Sequence, residues 1–242
     1  MIESSIGIGL VALLGLAGGF LTTLSGLGGG LILVTALSLL WGPHLALPVS
    51  ALALLVGNLH RFTLYRHHVR ADIARPLLIG LVPGSAIGAF LVAGLPSGLL
   101  QIAMLLLVGL ALARAALGWT WRLPRAALAP AGGAVGVMAG TAGGAAVLTC
   151  PLLKAAGVGG DEYMATMALS AVAMHIARTA GYGAGGLVDA STFAWAGFLA
   201  VTLVAGNLIG RAVRKRLPPR ILSGTEYAVL AAAGLLAVVG IG

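Results

Sequence analysis

The chain has 242 residues, of which 60% are hydrophobic and 8% charged, and its mean hydropathy is +1.07. A soluble domain of this length has too little interior to bury that much apolar surface, so the composition indicates a polytopic integral membrane protein. The net charge of +8 lies in short Lys/Arg clusters between apolar segments, which is typical of cytoplasmic loops, and we therefore expect no nucleic-acid partner.

Apolar segments follow one another along the whole chain, and most are long enough to span a bilayer. Three of them, 31–41, 126–139 and 145–156, are short. An eleven-residue helix such as 31–41 rises roughly 16 Å, about half of a hydrocarbon core of ~30 Å. In chain order the ten predicted segments are 6–24, 31–41, 45–65, 73–93, 99–117, 126–139, 145–156, 163–182, 192–213 and 221–241.

The two halves of the sequence match each other weakly. Glycines 28–29 fall on glycines 143–144, and His60 falls on His175, at a common shift of 115 residues. Weak internal similarity of this kind is typical of transporter folds. We therefore expect two repeats in a single integral membrane domain, over residues 1–120 and 121–242.

The basic loops indicate how the repeats are oriented. The stretch 65–75 is strongly basic, whereas the matching stretch 182–190 has no Lys or Arg. One loop later the bias is reversed, because 93–98 is neutral and 211–220 is basic. The positive-inside rule then predicts two halves with inverted topology and both termini outside, with 65–75, 211–220 and the linker 114–125 in the cytoplasm.

The last three segments of each repeat, if each spans the membrane, account for the alternation of basic and neutral loops. The first two segments of each repeat must therefore enter and leave the membrane on the same side. They form either two complete spans or a re-entrant hairpin that turns at the glycine run. One hairpin would enter from outside with its tip near 25–30, and the other from inside with its tip near 140–144. The expected fold is an all-α polytopic membrane protein of two inverted-topology repeats, each a glycine-tipped helical hairpin plus three transmembrane helices.

Each glycine run precedes the start of a short helix, where unpaired N–H groups and the helix dipole favour an anion. All six carboxylates fall at or near segment ends, and none lies at a predicted midplane, where a cation carrier usually keeps an acidic group. The polar groups within the spans are neutral or basic. We therefore expect a small anion near the bilayer midplane between the two tips, with histidine as the candidate proton handle.

The predicted substrate-binding residues come from these tips and from polar positions on the flanking helices. They are Ser25, Gly28, Gly29, Gly30, Asn58, Thr141, Gly143, Gly144, Ala145, Ser170, His175 and Arg178. For a second set, a purely structural role is the alternative: His60, Thr149, Cys150 and Asn207. One cysteine excludes an intramolecular disulfide and a Cys-based zinc cluster, and we expect no catalytic residue, cofactor or metal ligand.

The sequence resembles the TauE/SafE family of membrane transporters over nearly its whole length. The stretches that carry the resemblance are "GLGGGLILVTAL" (26–37), "PVSALALLVGNLHRFTLYRHHVRADIARPL" (48–77), "PGSAIGAFL" (83–91) and "GTAGGAAVLTCPLL" (140–153). The resemblance implies a multi-pass protein of the cell (inner) membrane. It also implies secondary transport of a small sulfur-containing anion, such as sulfite, a sulfonate or a sulfoacetate-like anion.

Two other functional classes are open to this sequence. A passive anion channel would share the glycine tips and the basic lining but would need no alternating access. An intramembrane enzyme would need a catalytic set, and the sequence has no H-E-x-x-H motif and no midplane Asp pair, so we expect no enzyme. We expect a transporter, in the export direction, with the lipid bilayer as its environment and protons as the candidate coupling ion. The identity of the anion and the oligomeric state are left open.

Overall fold

A computed structural model describes residues 5–25, 29–117, 123–144, 146–214 and 216–217, with a few single positions up to 236. Helices dominate this part of the chain, and the expected all-α polytopic membrane class is confirmed. Each of the first nine predicted segments falls on one helix, while the tenth, 221–241, lies almost entirely outside the described residues. The helices are α1 Ser5–Ser25, α2 Gly29–Trp41, α3 Pro43–Tyr65, α4 Ala71–Leu91, α5 Ser97–Leu117, α6 Leu128–Ala142, α7 Ala146–Ala155, α8 Gly160–Ala184 and α9 Ala190–Arg214.

Within the part of the chain that the structure describes, four helices are long and apolar enough to cross a membrane, namely α1, α3, α4 and α9. The 25-residue helix α8 is more polar, with Asp161 and Glu162 in its first turn and Arg178 in its interior. It packs against both α3 and α4, and Arg178 is completely buried. The surrounding helices therefore shield its internal charge from lipid, as a charge at membrane depth requires.

Small residues bring α4 and α6 into close contact. A Cβ added at Gly84 of α4 would overlap the carbonyl oxygen of Gly133, and one added at Gly88 would overlap that of Val137. From the first contact to the second, the residue number rises by four in both helices, so α4 and α6 run parallel. The backbones approach as closely as small-xxx-small helix pairs allow in membranes.

The pair α1 and α9 repeats this arrangement. A Cβ added at Gly206 of α9 would overlap the carbonyl oxygen of Leu16, and one at Gly210 would crowd that of Phe20. These two α1 residues precede their counterparts on α6 by 117 positions. The first helix of each half therefore packs on the fourth helix of the other half.

Helix starts in the two halves show the same spacing. Gly29 begins α2 and Ala146 begins α7, while Pro43 begins α3 and Gly160 begins α8, so both pairs start 117 residues apart. This offset differs by two residues from the shift of 115 predicted by matching glycines. At an offset of 117, the glycines at positions 29 and 30 align with positions 146 and 147 instead of with the glycines at 143 and 144.

The first hairpin combines a helix of spanning length with a shorter return helix. Gly18 of α1 faces Leu33 of α2, and Gly29 packs against Thr22, so the two helices are antiparallel. The return helix α2 has 13 residues, a rise of about 20 Å, and ends at Trp41. The return helix is therefore shorter than the roughly 20 residues of a typical transmembrane helix.

Arginines from both halves meet at one end of the bundle, which we name the basic end. Arg70 makes two hydrogen bonds of 2.9 Å to Asp72 and one of 3.1 Å to Glu162 of α8. Arg125, just before α6, lies 2.7 Å from Asp72. The bonds to Asp72 raise the pKa of Arg70 above its ordinary value, so this guanidinium stays charged.

Aromatic side chains gather at the opposite end, which we name the aromatic end. The ring of Trp41 lies 5.2 Å from that of Trp195 near the start of α9, and Phe198 lies 6.2 Å from Trp195. Tryptophan is enriched at membrane–water interfaces. The helix α9 therefore runs from an aromatic interface to the basic end.

Asp189 caps the start of α9 at the aromatic end. Its Oδ1 accepts hydrogen bonds from the hydroxyl and the backbone N–H of Thr192, at 2.7 and 2.8 Å, and from Ser191 at 2.8 Å. These bonds, the Thr192 hydroxyl first, lower the pKa of Asp189 to about 2. The ionised carboxylate thus satisfies a free donor of the first helical turn.

Candidate functional site

A cavity of about 540 Å³ lies among the helix ends at the basic end. The last turns of α1, α3, α7 and α9 and the first turn of α8 form its walls. Its volume falls within the range of small-molecule sites in proteins. Its polar and charged lining residues are Thr22, Thr23, His60, Arg61, Tyr65, Lys154, Asp161, Tyr163, Asn207, Arg211 and Arg214.

The lining of the cavity is predominantly cationic. Four Arg or Lys side chains face one carboxylate, Asp161, among the described lining residues. Arg214 donates a 2.9 Å hydrogen bond to the carbonyl of Thr23, and Lys154 lies 6.0 Å from the centre of the Tyr163 ring. A cleft lined by one sign of charge raises the local concentration of ions of the opposite sign. This cavity therefore attracts anions.

Neutral hydrogen-bonding groups line the part of the cavity that reaches between the helices. Thr23 Oγ1 donates to Asn207 Oδ1 at 2.9 Å, which leaves the amide nitrogen of Asn207 as a donor. A Cβ at Gly57 would lie 3.4 Å from that nitrogen, so the glycine keeps space beside it. An oxyanion in this part of the cavity would meet an amide and a hydroxyl close to the cationic groups.

A buried Arg–Tyr pair lies toward the aromatic end of α8. Arg178 donates to the hydroxyl of Tyr182 from Nε at 3.2 Å and from Nη2 at 3.0 Å. That hydroxyl donates in turn to the carbonyl oxygen of Gly140 at 2.7 Å. Both side chains are completely buried. The pair therefore ties α8 to the end of α6, next to the turn of the second hairpin.

Three polar atoms on this part of α8 are buried without a partner: Nη1 of Arg178, Nδ1 of His175 and Oγ1 of Thr179. Among the described residues no carboxylate pairs with Arg178. A buried charge without a counter-ion is strongly unfavourable, and buried donors without an acceptor add to that cost. These donors have the chemistry to hold an anion.

Apolar side chains occupy the space beside the second glycine tip. Gly143 and Gly144 have positive φ angles of 73° and 61°, and a side chain at either would meet Val34 or Leu31 of α2. Leu107 of α5 also lies against Gly144. Apolar side chains therefore lie on the side of these two glycines to which a Cβ would project.

Three other predicted donors are engaged within their own helices. The side chains of Asn58, Thr141 and Ser170 each donate to the carbonyl four residues earlier, at 2.8, 3.0 and 2.8 Å. Such bonds satisfy the groups locally. The hydroxyls of Thr141 and Ser170 each have a single donor hydrogen, so donation to an anion would require them to give up these bonds, whereas the amide of Asn58 has a second hydrogen.

The remaining predicted residues are distributed over the bundle. Gly29 and Gly30 lie at the start of α2, where Gly30 faces Leu54. Thr149 and Cys150 are buried in α7. Of the sixteen predicted residues, the cavity contains His60 and Asn207. Gly28, Ala145 and the side chain of Ser25 lie outside the described residues.

The sequence-based prediction of site residues did not include Arg61, Tyr65 or Tyr182. Arg61 and Tyr65 line the cavity, and Tyr182 holds Arg178. The spacing Arg-x-x-x-Tyr occurs at both places, 117 residues apart, and would have identified them. The shift of 115 hid this match because it set Arg61 against Ile176.

A family model for the sulfite exporter TauE/SafE matches residues 11–237, which is almost the entire sequence. No curated protein and no solved structure matches the chain. The match agrees with the spanning helices and with the cationic cavity described above. The chain therefore belongs to the sulfite exporter TauE/SafE family, a family of membrane transporters of sulfur-containing anions.

Proposed function

We propose that this protein is a secondary transporter that exports a small sulfur-containing anion, such as sulfite, a sulfonate or a sulfoacetate-like anion, across the inner membrane. The observation that carries the proposal is the cationic cavity at the basic end, which reaches between the helices but contains one carboxylate among its described lining residues. An anion in the cytoplasm would be drawn into this cavity. The positive-inside rule makes this end cytoplasmic.

The proposed mechanism is alternating access between two inverted repeats. The packing of α1 on α9 and of α6 on α4 supports the repeat, since in each case the first helix of one half packs on the fourth helix of the other half. The first glycine tip adjoins the cavity through Thr22 and Thr23, whereas apolar side chains cover the second. We propose that the conformation described is the inward-facing one, and that the second tip becomes accessible in the outward-facing one.

One observation favours a transporter over a passive channel. The described lining residues of the cavity belong to the basic end, while the bond from Tyr182 to Gly140 joins helices toward the other end. A channel in its conducting state would need continuous access from both sides. Protons are the proposed coupling ion, because His60 lines the cavity and an imidazole can accept and release a proton.

Flux into proteoliposomes tests the proposal. Purified protein would be reconstituted and supplied with radiolabelled sulfite, thiosulfate, sulfoacetate or sulfate under an imposed pH gradient. We expect saturable flux of at least one of the sulfur anions, with a rate that depends on the pH gradient. Flux that rises linearly with concentration would indicate a channel, and flux no greater than in empty liposomes would contradict transport of these anions.

A further inference from the structure

We infer that Arg61 binds the transported anion from the basic end, and that Arg178 is its counterpart for the aromatic end. This inference rests on the proposed function and names the residues that contact the anion in each of its two states. Arg61 lines the cavity on the last turn of α3, and Arg178 is enclosed near the end of α8. Nothing in the family match assigns either role.

The two arginines occupy equivalent positions in the two halves. Arg61 and Arg178 are 117 residues apart, which is also the distance between the first residues of α3 and α8. Each is followed by a tyrosine one helical turn later, Tyr65 and Tyr182. Residues four apart on a helix lie on the same face, so each arginine has the same neighbour.

The carbonyl groups that face these pairs are equivalent as well. Tyr182 donates to the carbonyl of Gly140, and the residue 117 positions earlier is Thr23. The carbonyl of Thr23 accepts from Arg214, while Thr23 and Tyr65 both line the cavity. In one half the tyrosine hydroxyl therefore donates to this carbonyl, whereas in the other half an arginine donates to the equivalent carbonyl.

Neighbouring helices show the same difference. Gly181 packs against the carbonyl of Ala86, so α8 and α4 are in contact toward the aromatic end. Leu64, one residue before Tyr65, and Leu208 of α9 both line the cavity. The arrangement is closed around Arg178 and open around Arg61, as expected when only one of two equivalent sites is accessible.

Both guanidinium groups lack a counter-ion among the described residues. The described ion pairs involve Arg70 and Arg125, and neither Arg61 nor Arg178 takes part in one. Arg178 also has an unpaired Nη1. The planar guanidinium presents several donors in a fixed geometry and suits an oxyanion with two or three oxygens, such as sulfite or a sulfonate.

Transport measured from each side of the membrane tests the inference. Everted and right-side-out vesicles would present the cytoplasmic and the outer end of the wild type, Arg61→Gln and Arg178→Gln to labelled sulfite. We expect Arg61→Gln to raise the half-saturating sulfite concentration about tenfold in everted vesicles and much less in right-side-out vesicles. Arg178→Gln should show the reverse, and Arg61→Lys should recover part of the loss.

Arg66→Gln is the matched control, because Arg66 carries the same charge five residues away but is exposed and lies outside the cavity lining. Equal effects of Arg61→Gln and Arg66→Gln, or equal effects of Arg61→Gln from both sides, would overturn the inference while leaving transport intact. Absence of flux of sulfite, thiosulfate, sulfoacetate and sulfate alike in the wild type would instead overturn the proposed function. Reaction of the single buried thiol, Cys150, on heating shows whether each variant is folded.

Discussion

At the scale of single residues, Arg178 is held within the second half by a neutral side chain. The donors of its buried guanidinium bond to a neutral hydroxyl instead of a carboxylate. The ring of Tyr182 adds a cation–π contact, with its centre 5.5 Å from the guanidinium carbon. The tyrosine hydroxyl therefore serves both as an acceptor for Arg178 and as a donor to Gly140.

We expect Tyr182→Phe to destabilise the protein by roughly 1–3 kcal/mol, because it leaves donors of Arg178 and the carbonyl of Gly140 buried without partners. Thermal unfolding in detergent, followed by a thiol-reactive dye that detects exposure of Cys150, measures this change. Tyr65→Phe is the matched control, since Tyr65 is only partly buried and its hydroxyl makes no hydrogen bond in the described set. A Tyr182→Phe protein as stable as the control would show that the hydroxyl bridge contributes little.

At the scale of helices, much of the architecture was predictable from the sequence. Segment lengths and apolar runs predicted the first nine helices, because a helix that faces lipid must stay apolar for its whole length. The clusters of Lys and Arg predicted that 65–75 and 211–220 lie at one end. The contact between α4 and α6 was not predictable, because no local pattern specifies which distant carbonyl Gly84 will face.

Part of the candidate site was also predictable. Arg178 was recognised because a charge within a span is costly, and Asn207 and His60 because they are polar. The cavity itself was not, because it forms only where the ends of five distant helices meet. The apolar side chains beside Gly143 and Gly144 include Val34 and Leu31, whose sequence pattern is that of any membrane helix.

The close contact of α4 and α6 leads to a second prediction. Gly84→Ala should lower stability by about 1–3 kcal/mol, because the added Cβ would overlap the carbonyl oxygen of Gly133 and push the helices apart. Gly109→Ala on α5 is the control, since a Cβ there meets no atom within 4 Å and alanine favours the helix. The same thermal assay checks both, and equal melting temperatures would contradict the tight packing.

The cap of α9 gives a prediction about pH. The pKa of Asp189 is lowered to about 2 in the folded protein, from an ordinary value of 3.8. Its contribution to stability is therefore complete above that ordinary value, and it is lost as the pH falls toward 2 and the carboxylate is protonated. We expect the melting temperature of the wild type to fall more steeply over this window than that of Asp189→Asn. Parallel pH profiles would show that the cap is energetically unimportant.

At the scale of the whole molecule, the orientation in the membrane determines which side the cavity serves. His68 is exposed at the basic end, and Gly98 is exposed near the start of α5 at the other end of α4. In a Cys150→Ala background, we expect His68→Cys to react with a membrane-impermeant thiol reagent only from the cytoplasmic side. Gly98→Cys should react only from outside. Reaction of His68→Cys from outside would contradict the inverted-repeat topology.

Counterflow in proteoliposomes tests alternating access of a sulfur anion most directly. Liposomes loaded with unlabelled sulfite would be diluted into a trace of labelled sulfite, with no other gradient imposed. A carrier that alternates between the open cavity and the enclosed Arg178 site should accumulate label inside, transiently above its external concentration. The reason is that the abundant unlabelled sulfite inside occupies the site on its way out, so label enters faster than it leaves. Simple equilibration of the label without an overshoot, or no uptake beyond that of empty liposomes, would contradict this account.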